Sequence, residues 1–343
     1  MELVVWPGAF GLPSVEPECL QFMAFLKMCP AGVEVKPDHR PYLSPSGQYP
    51  VFRDGQHSLT QFEAFSKYLS EKLQAVAGFD SQAENERKLE LLGYLCLVQE
   101  RLAPAYMYAL WLDAVNYNTF TSRWYGGQMV FPFGNFFCVK QQRLTSRRLK
   151  HLFPGCTTPN EFEFATTRQA LTCLNMLSAK LGDKKYFFGD RPTSLDAVVF
   201  GYLAPLLKLP LPNDRLQVHL KGCPNLIRFV ESVISIYLPL SDEELHLQRK
   251  GVEKWEKRRL EAQAELRKSR HEAKAEEERR REDEEEEFGL RDQILFGVGA
   301  IVLSLLFALH LGIIQVEVRE RNEDEEEGSS STAPIDFDFE FAR

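Results

Sequence analysis

No two of the seven cysteines, at positions 19, 29, 96, 138, 156, 173 and 223, stand in CxxC spacing. An odd and unpatterned set argues against a disulfide framework or a cysteine zinc site and fits reduced thiols in or near a core. Positive charge is in deficit. The chain has 41 Lys and Arg against 49 Asp and Glu, a net charge of −8 at pH 7. That balance argues against a nucleic-acid surface and leaves room only for a local basic patch. Also absent are the P-loop, the Gly-rich dinucleotide turn, HExxH and the nucleophile elbow, so nothing points to a cofactor or a metal. The opening MELVVWP has no basic stretch before its apolar residues and no Arg-rich character. Neither a secretory leader nor a matrix transit peptide is expected, and the soluble part is expected to stay in the cytosol.

One stretch lacks charge and proline altogether: Ile294 to Ile314, ILFGVGAIVLSLLFALHLGII. About 20 apolar residues are enough for one helix to cross a bilayer core. A span this late emerges only as translation finishes. The expectation is a tail anchor inserted after synthesis, with the head in the cytosol and the acidic tail across the membrane.

Composition divides the rest. Aromatics, aliphatics, Gly and Pro mix up to about Leu240, whereas thirty of the 47 residues from Ser241 to Glu287 are Asp, Glu, Lys or Arg. The expected plan is a small mixed-sheet domain at 1–78, a helical domain at 79–240, a charged helical or disordered spacer at 241–290, the anchor at 291–316 and an acidic disordered tail at 317–343. A helix that is polar all round is normally a solvated spacer. Leu245, Leu247, Trp255, Leu260 and Leu266 are too sparse to read as an apolar seam.

The first domain reads as β-α-β followed by β-β-α. Leu3–Trp6 is a short apolar strand, and Ser14 is placed to cap the helix continued by Cys19, Phe22 and Phe25. Val33–Lys36 alternates as a strand. Tyr49–Phe52 forms another, and Asp54-Gly55 signals a hairpin before His57–Leu59. Phe62, Phe65, Leu69 and Leu73 share a helical stripe. From Ser81 onward only helical periods remain. Leu89, Leu92, Cys96, Gln99 and Leu102 trace one helical face until Pro104; further stripes run through Leu171–Leu181, Leu195–Leu206 and Leu226–Tyr237. The fold class is α+β: a thioredoxin-like half, then a helical bundle.

That plan resembles the glutathione-transferase fold. Pro50, entering a strand, stands where that family carries a cis-proline, and Thr193 with Asp196 in GDRPTSLD resembles its helix-capping box. Within the fold, the chain is similar to metaxins. The resemblance rests on GLPSV at 11–15, SPSG at 44–47, Trp111-Leu112-Asp113 with Asn116-Tyr117, Arg123-Trp124-Tyr125, FPF at 131–133, FFGD at 187–190 with SLDA at 194–197, and LQVHL at 216–220. It covers the chain to about Leu240, and the single anchor matches the anchored branch of the family. The resemblance implies a non-catalytic component of the mitochondrial outer-membrane machinery for protein import and β-barrel sorting and assembly. Its implied partners are a second metaxin, a β-barrel assembly core subunit and a complex that joins the outer and inner membranes.

Other readings stay open. A membrane-anchored glutathione transferase needs a hydroxyl or thiol just after the first strand. Here Trp6 to Pro13 has none, Ser14 is the first, and Phe62 occupies the position of a glutathione-binding serine, where its ring would fill the pocket. A trafficking adaptor would use the charged segment as its binding element. Trp111, Asp113, Arg123, Trp124, Arg147 and Arg148 are the candidates for a partner surface, while core and interface packing is the plainer reading of Trp111, Tyr117, Trp124 and Tyr125. Phe131, Phe133, Phe136 and Phe137, followed by Lys140, Arg143, Arg147, Arg148 and Lys150, would suit an anionic membrane or a precursor chain. The plainer reading packs these rings between helices and leaves the basic face to solvent.

Overall fold

The computed structural model describes residues 1–29, 31–72 and 85–310. The chain divides into two compact units, Met1–Leu266 and Arg267–Arg343.

The first unit opens with β1 (Glu2–Val5), α1 (Pro17–Met28), β2 (Glu34–Pro37), β3 (Val51–Asp54), β4 (His57–Leu59) and α2 (Phe62–Lys72). The sheet order is β2-β1-β3-β4, with β1 parallel to β2 and antiparallel to β3, and β3 antiparallel to β4. Gly55 turns the hairpin at φ +57°, a left-handed geometry glycine adopts at little cost. On one face, Phe22 of α1 stacks on Phe65 of α2 at 4.2 Å, and Phe52 of β3 meets Phe65 at 5.0 Å. All three rings are fully buried, each contributing roughly 1.5–3 kcal/mol. The glutathione-transferase plan expected of this half is the one observed.

Helices follow: α3 (Asn85–Leu97), α4 (Ala103–Met107), α5 (Ala114–Asn116), α6 (Ser122–Gln128), α7 (Phe133–Leu152), α8 (Pro159–Leu181), α9 (Ser194–Lys208), α10 (Arg215–Lys221), α11 (Pro224–Tyr237) and α12 (Asp242–His310). Wider π turns at Val98–Leu102, Tyr108–Leu112 and Tyr117–Thr121 link α3 to α6. They correct one expectation. Leu89, Leu92 and Cys96 face outward, while Leu91, Leu95, Val98 and Leu102 pack inward. The helix carries two apolar stripes, and the core takes the one that the π turn at Val98–Leu102 keeps in phase. Pro104 falls in the first turn of α4 and does not end the path.

The buried α9 joins the two halves. A Cβ on Gly201 would stand 2.6 Å from the Pro17 carbonyl of α1, so only glycine permits this approach.

A second correction concerns α12. Its first 25 residues belong to the head unit, although composition suggested a spacer from Ser241. Leu245, Gln248, Val252, Trp255, Arg259, Gln263 and Leu266 recur three or four apart and are all partly buried. Gln248 Oε1 accepts from the Gly11 N–H at 2.7 Å, and its Nε2 donates to the Leu12 carbonyl at 3.2 Å. Trp255 packs edge-on against Phe10 and Phe120. Gln263 donates to Asp214 at 2.9 Å.

In the second unit α12 continues to His310, and Arg291–Ala308 is long and apolar enough to cross a membrane. Ile294 is exposed. Ile314, the far end of the expected anchor, and the acidic tail lie outside the described residues.

Candidate functional site

Any thiol chemistry in this fold would sit where β1 ends, beside the cis-proline and the start of α1. The Tyr49–Pro50 peptide is cis. The first residue after β1 is Trp6, which is 1 % exposed. Its ring meets Tyr49 at 5.9 Å, Tyr125 at 5.3 Å, Phe137 at 5.4 Å and Trp124 at 6.3 Å. An indole and four further rings, three of them from α6 and α7, occupy the space between the end of the central strands and the bundle. Phe62 is not the filling ring. It is half-buried and turns onto Phe22 and Phe25 at 5.8 and 5.5 Å.

From Trp6 to Cys29 the hydroxyls and thiols are Ser14, Cys19 and Cys29, and all three are buried. Ser14 does not cap α1, because the N-cap lies two residues later at Glu16 and the helix begins at Pro17. The Ser14 Oγ makes no well-formed hydrogen bond, although the Cys19 thiol lies beside it. Burial pushes that thiol well above its ordinary value, which disfavours the thiolate a nucleophile requires. Next to it the Glu16 carboxylate accepts from the Tyr125 hydroxyl at 2.6 Å. Burial raises the Glu16 carboxyl to about 7, against the lowering effect of the Tyr125 bond and with a small further push from Glu18.

The motif residues of the bundle form a clamp. Asp113 Oδ1 accepts from the Asn116 backbone N–H at 2.7 Å, and Asp113 Oδ2 from Asn213 Nδ2 at 2.7 Å. Asn213 N–H donates to Asn116 Oδ1 at 2.8 Å. Trp111 packs on Tyr125 at 5.1 Å, and Trp124 on Tyr125 at 4.7 Å. Trp111, Asp113 and Trp124 are thus buried, which corrects their assignment to an outward partner surface: their partners are within the chain. Arg123, Arg147 and Arg148 remain exposed.

Asp196 lies at the start of α9 and is completely buried. It accepts from the Phe187 N–H at 3.0 Å, the Thr193 N–H at 2.7 Å and the Thr193 hydroxyl at 2.6 Å. The capping box with Thr193 is present. Desolvation still outweighs these bonds and lifts the carboxyl to about 6.

Sequence reasoning missed an open cleft of about 470 Å³ lined by Ser122, Arg123, Gly126, Gly127, Asn135 and Arg258. Arg123 Nε donates to the Asn118 carbonyl at 2.9 Å, and the Arg258 guanidinium lies 5.2 Å from the Trp255 ring centre. The sequence gives no signal for it, because Arg258 arrives from α12. Among the described residues no three His, Cys, Asp or Glu side chains converge as metal ligands would.

The fold is that of glutathione transferases, with the thiol-handling position filled by aromatic rings. A glutathione S-transferase C-terminal domain matches residues 170–233. The structure is similar to the beta-etherase LigF from Sphingobium sp. strain SYK-6, with a TM-score of 0.50 and 15% identity, covering 68% of this chain and 94% of that one. Residues 19–143 match the family described as outer mitochondrial membrane transport complex protein. The metaxin-1 homolog of Caenorhabditis briggsae is 43% identical over 320 residues, covering 92% of this chain and 98% of the relative. Metaxin-1 of Mus musculus is 34% identical over 253 residues, covering 73% and 78%. Metaxin-3 of Xenopus laevis is 34% identical over 245 residues, covering 71% and 78%. The chain belongs to the metaxin family.

Proposed function

We propose that the chain is a non-catalytic subunit of the mitochondrial outer-membrane machinery that imports proteins and sorts and assembles β-barrels. Its head faces the cytosol, the Arg291–Ala308 segment anchors it, and the residues beyond lie in the intermembrane space. The observation that carries the reading is the plugged thiol site in a metaxin-family chain. Trp6 and its ring neighbours fill the space, and every hydroxyl or thiol between residues 6 and 29 is buried. Such a head binds through its outer surface. The partners are a second metaxin, a β-barrel assembly core subunit and an inner-membrane contact-site complex. Arg123, beside Arg258 in the open cleft, is the contact proposed for an acidic side chain of one of them. The domain plan proposed is a sheet domain, a helical domain, a charged helix, an anchor and a tail, with the head closed by the start of α12.

Affinity purification of the full chain from solubilised mitochondria, with mass spectrometry of what co-purifies, tests this. Recovery of a second metaxin and a barrel-assembly subunit is expected. Their absence, together with conjugation of an electrophile to glutathione by the purified chain, would overturn it.

A further inference from the structure

We propose that one face of α7, together with the loop before it, docks the head on an anionic lipid surface. At 3.6 residues per turn, or about 100° per residue, Phe133, Phe136, Lys140, Arg143, Arg147 and Lys150 fall within an arc of roughly 100°. All six side chains are exposed. The aromatic pair lies at the N-terminal end, and the four cations continue the same stripe.

The loop extends the apolar end. Val130 is 75% exposed, Phe131 80% and Phe136 70%. The plainer expectation, that these rings pack between helices, fails for Phe131 and Phe136. Their exposure belongs to a built turn. Met129 is buried, the Phe133 N–H donates to the Val130 carbonyl at 2.9 Å, and a Cβ on Gly134 would come within 2.9 Å of the Gly126 Cα. The two ends of the turn thus meet at Gly126 and Gly134, and its tip projects into solvent. Tyr42, itself exposed, stacks on Phe133 at 4.9 Å and widens the patch.

Charge complementarity identifies the occupant. Between Asp113 and Glu161 there is no carboxylate, while Arg123, Lys140, Arg143, Arg147, Arg148 and Lys150 all lie there; the whole chain carries −8. Among the described residues no ion pair engages Lys140, Arg143, Arg147 or Lys150. Exposed aromatics at one end suit headgroup depth, and cations alongside suit acidic phospholipids. The stripe runs along a convex helix, whereas a bound peptide is normally received in a groove or along a sheet edge. The chain also carries its own candidate membrane span, so a bilayer is present wherever the anchored head works. The inference goes beyond the import role and needs none of the proposed protein partners.

The test uses the full chain carrying Phe131→Trp, reconstituted into vesicles of phosphatidylcholine with brominated acyl chains, with or without phosphatidylserine. The unsubstituted chain provides the background of the four native tryptophans. The added tryptophan should be quenched by bromolipid and shifted to the blue only when phosphatidylserine is present, and high salt should reverse both. The combined variant K140Q/R143Q/R147Q/K150Q should lose the quenching, each cation contributing up to roughly fivefold in surface partitioning. Since none of the four is in an ion pair, its unfolding midpoint should match the parent, and the salt titration repeats the test without altering any cation. Equal quenching with and without phosphatidylserine would overturn the proposal. So would shielding of position 131 from acrylamide without bromolipid quenching, which would assign the face to a protein.

Discussion

Replacing Glu16 with Gln isolates one partly buried carboxyl and gives a prediction with a definite sign. In the fold the carboxyl is raised to about 7 from 4.5, a gap of about 2.5 pH units at about 1.36 kcal/mol per unit. The folded state holds this proton more tightly than the unfolded chain does. The associated stability is therefore fully present below pH 4.5 and is lost as pH rises through the window up to about 7. The gap corresponds to about 3 kcal/mol, and partial exposure of Glu16 brings the expectation to about 2–3 kcal/mol. Glu16→Gln keeps an acceptor for the Tyr125 hydroxyl, bonded at 2.6 Å in the parent, but never ionises. At pH 5 the variant should lead the parent by less than about 1 kcal/mol. At pH 8 the variant should be the more stable by about 2–3 kcal/mol. The assay is urea unfolding of the full chain in mild detergent, followed by tryptophan fluorescence at several pH values. A stability difference that stays constant from pH 5 to pH 8 would refute the reasoning, because it would show that Glu16 titrates alike in both states.

Asp196→Ala removes the acceptor of three donors at the start of α9 and should cost about 2–4 kcal/mol in the urea midpoint. Gly201→Ala pushes a Cβ against the Pro17 carbonyl and should destabilise by about 1–3 kcal/mol, measured the same way. Trp6→Ala vacates the centre of five packed rings at about 3–5 kcal/mol, with a drop in the thermal midpoint. Gln248→Ala leaves the Gly11 N–H and the Leu12 carbonyl without their side-chain partner. Faster amide exchange over residues 7–13, read by mass spectrometry, should accompany a loss of about 1–2 kcal/mol.

Local signals read correctly. The β-α-β-β-β-α order, the turn at Asp54-Gly55 and the pairing of Thr193 with Asp196 each depend on residues within a few positions of one another. Features that depend on distant partners did not. Both stripes of α3 carry leucines, Leu89 and Leu92 on one and Leu91 and Leu95 on the other, and packing against distant helices sets which one faces in. Ser14 has the chemistry of a cap, but Pro17 starts the helix later. For Trp111 and Trp124 the packing reading holds and the partner-surface one does not, and Asp113 turns inward as well: Tyr125 and Asn213 meet them inside the chain. The stripe on α12 was invisible to a hydrophobicity count, because Gln248 and Gln263 act through hydrogen bonds and Arg259 through its stem and its ion pair with Asp214.

The primary amide of Gln248 has a practical consequence. It offers one donor and one acceptor to a strip of main chain, much as a neighbouring strand would, and a carboxylate or an ammonium in its place could satisfy only half of that strip. Where the head ends is therefore set by a polar handshake that a greasiness scale does not register. A fragment cut at residue 240 would uncover the Phe10 and Phe120 rings now covered by Trp255 and should clump in solution, whereas one that ends after Leu266 should stay dispersed.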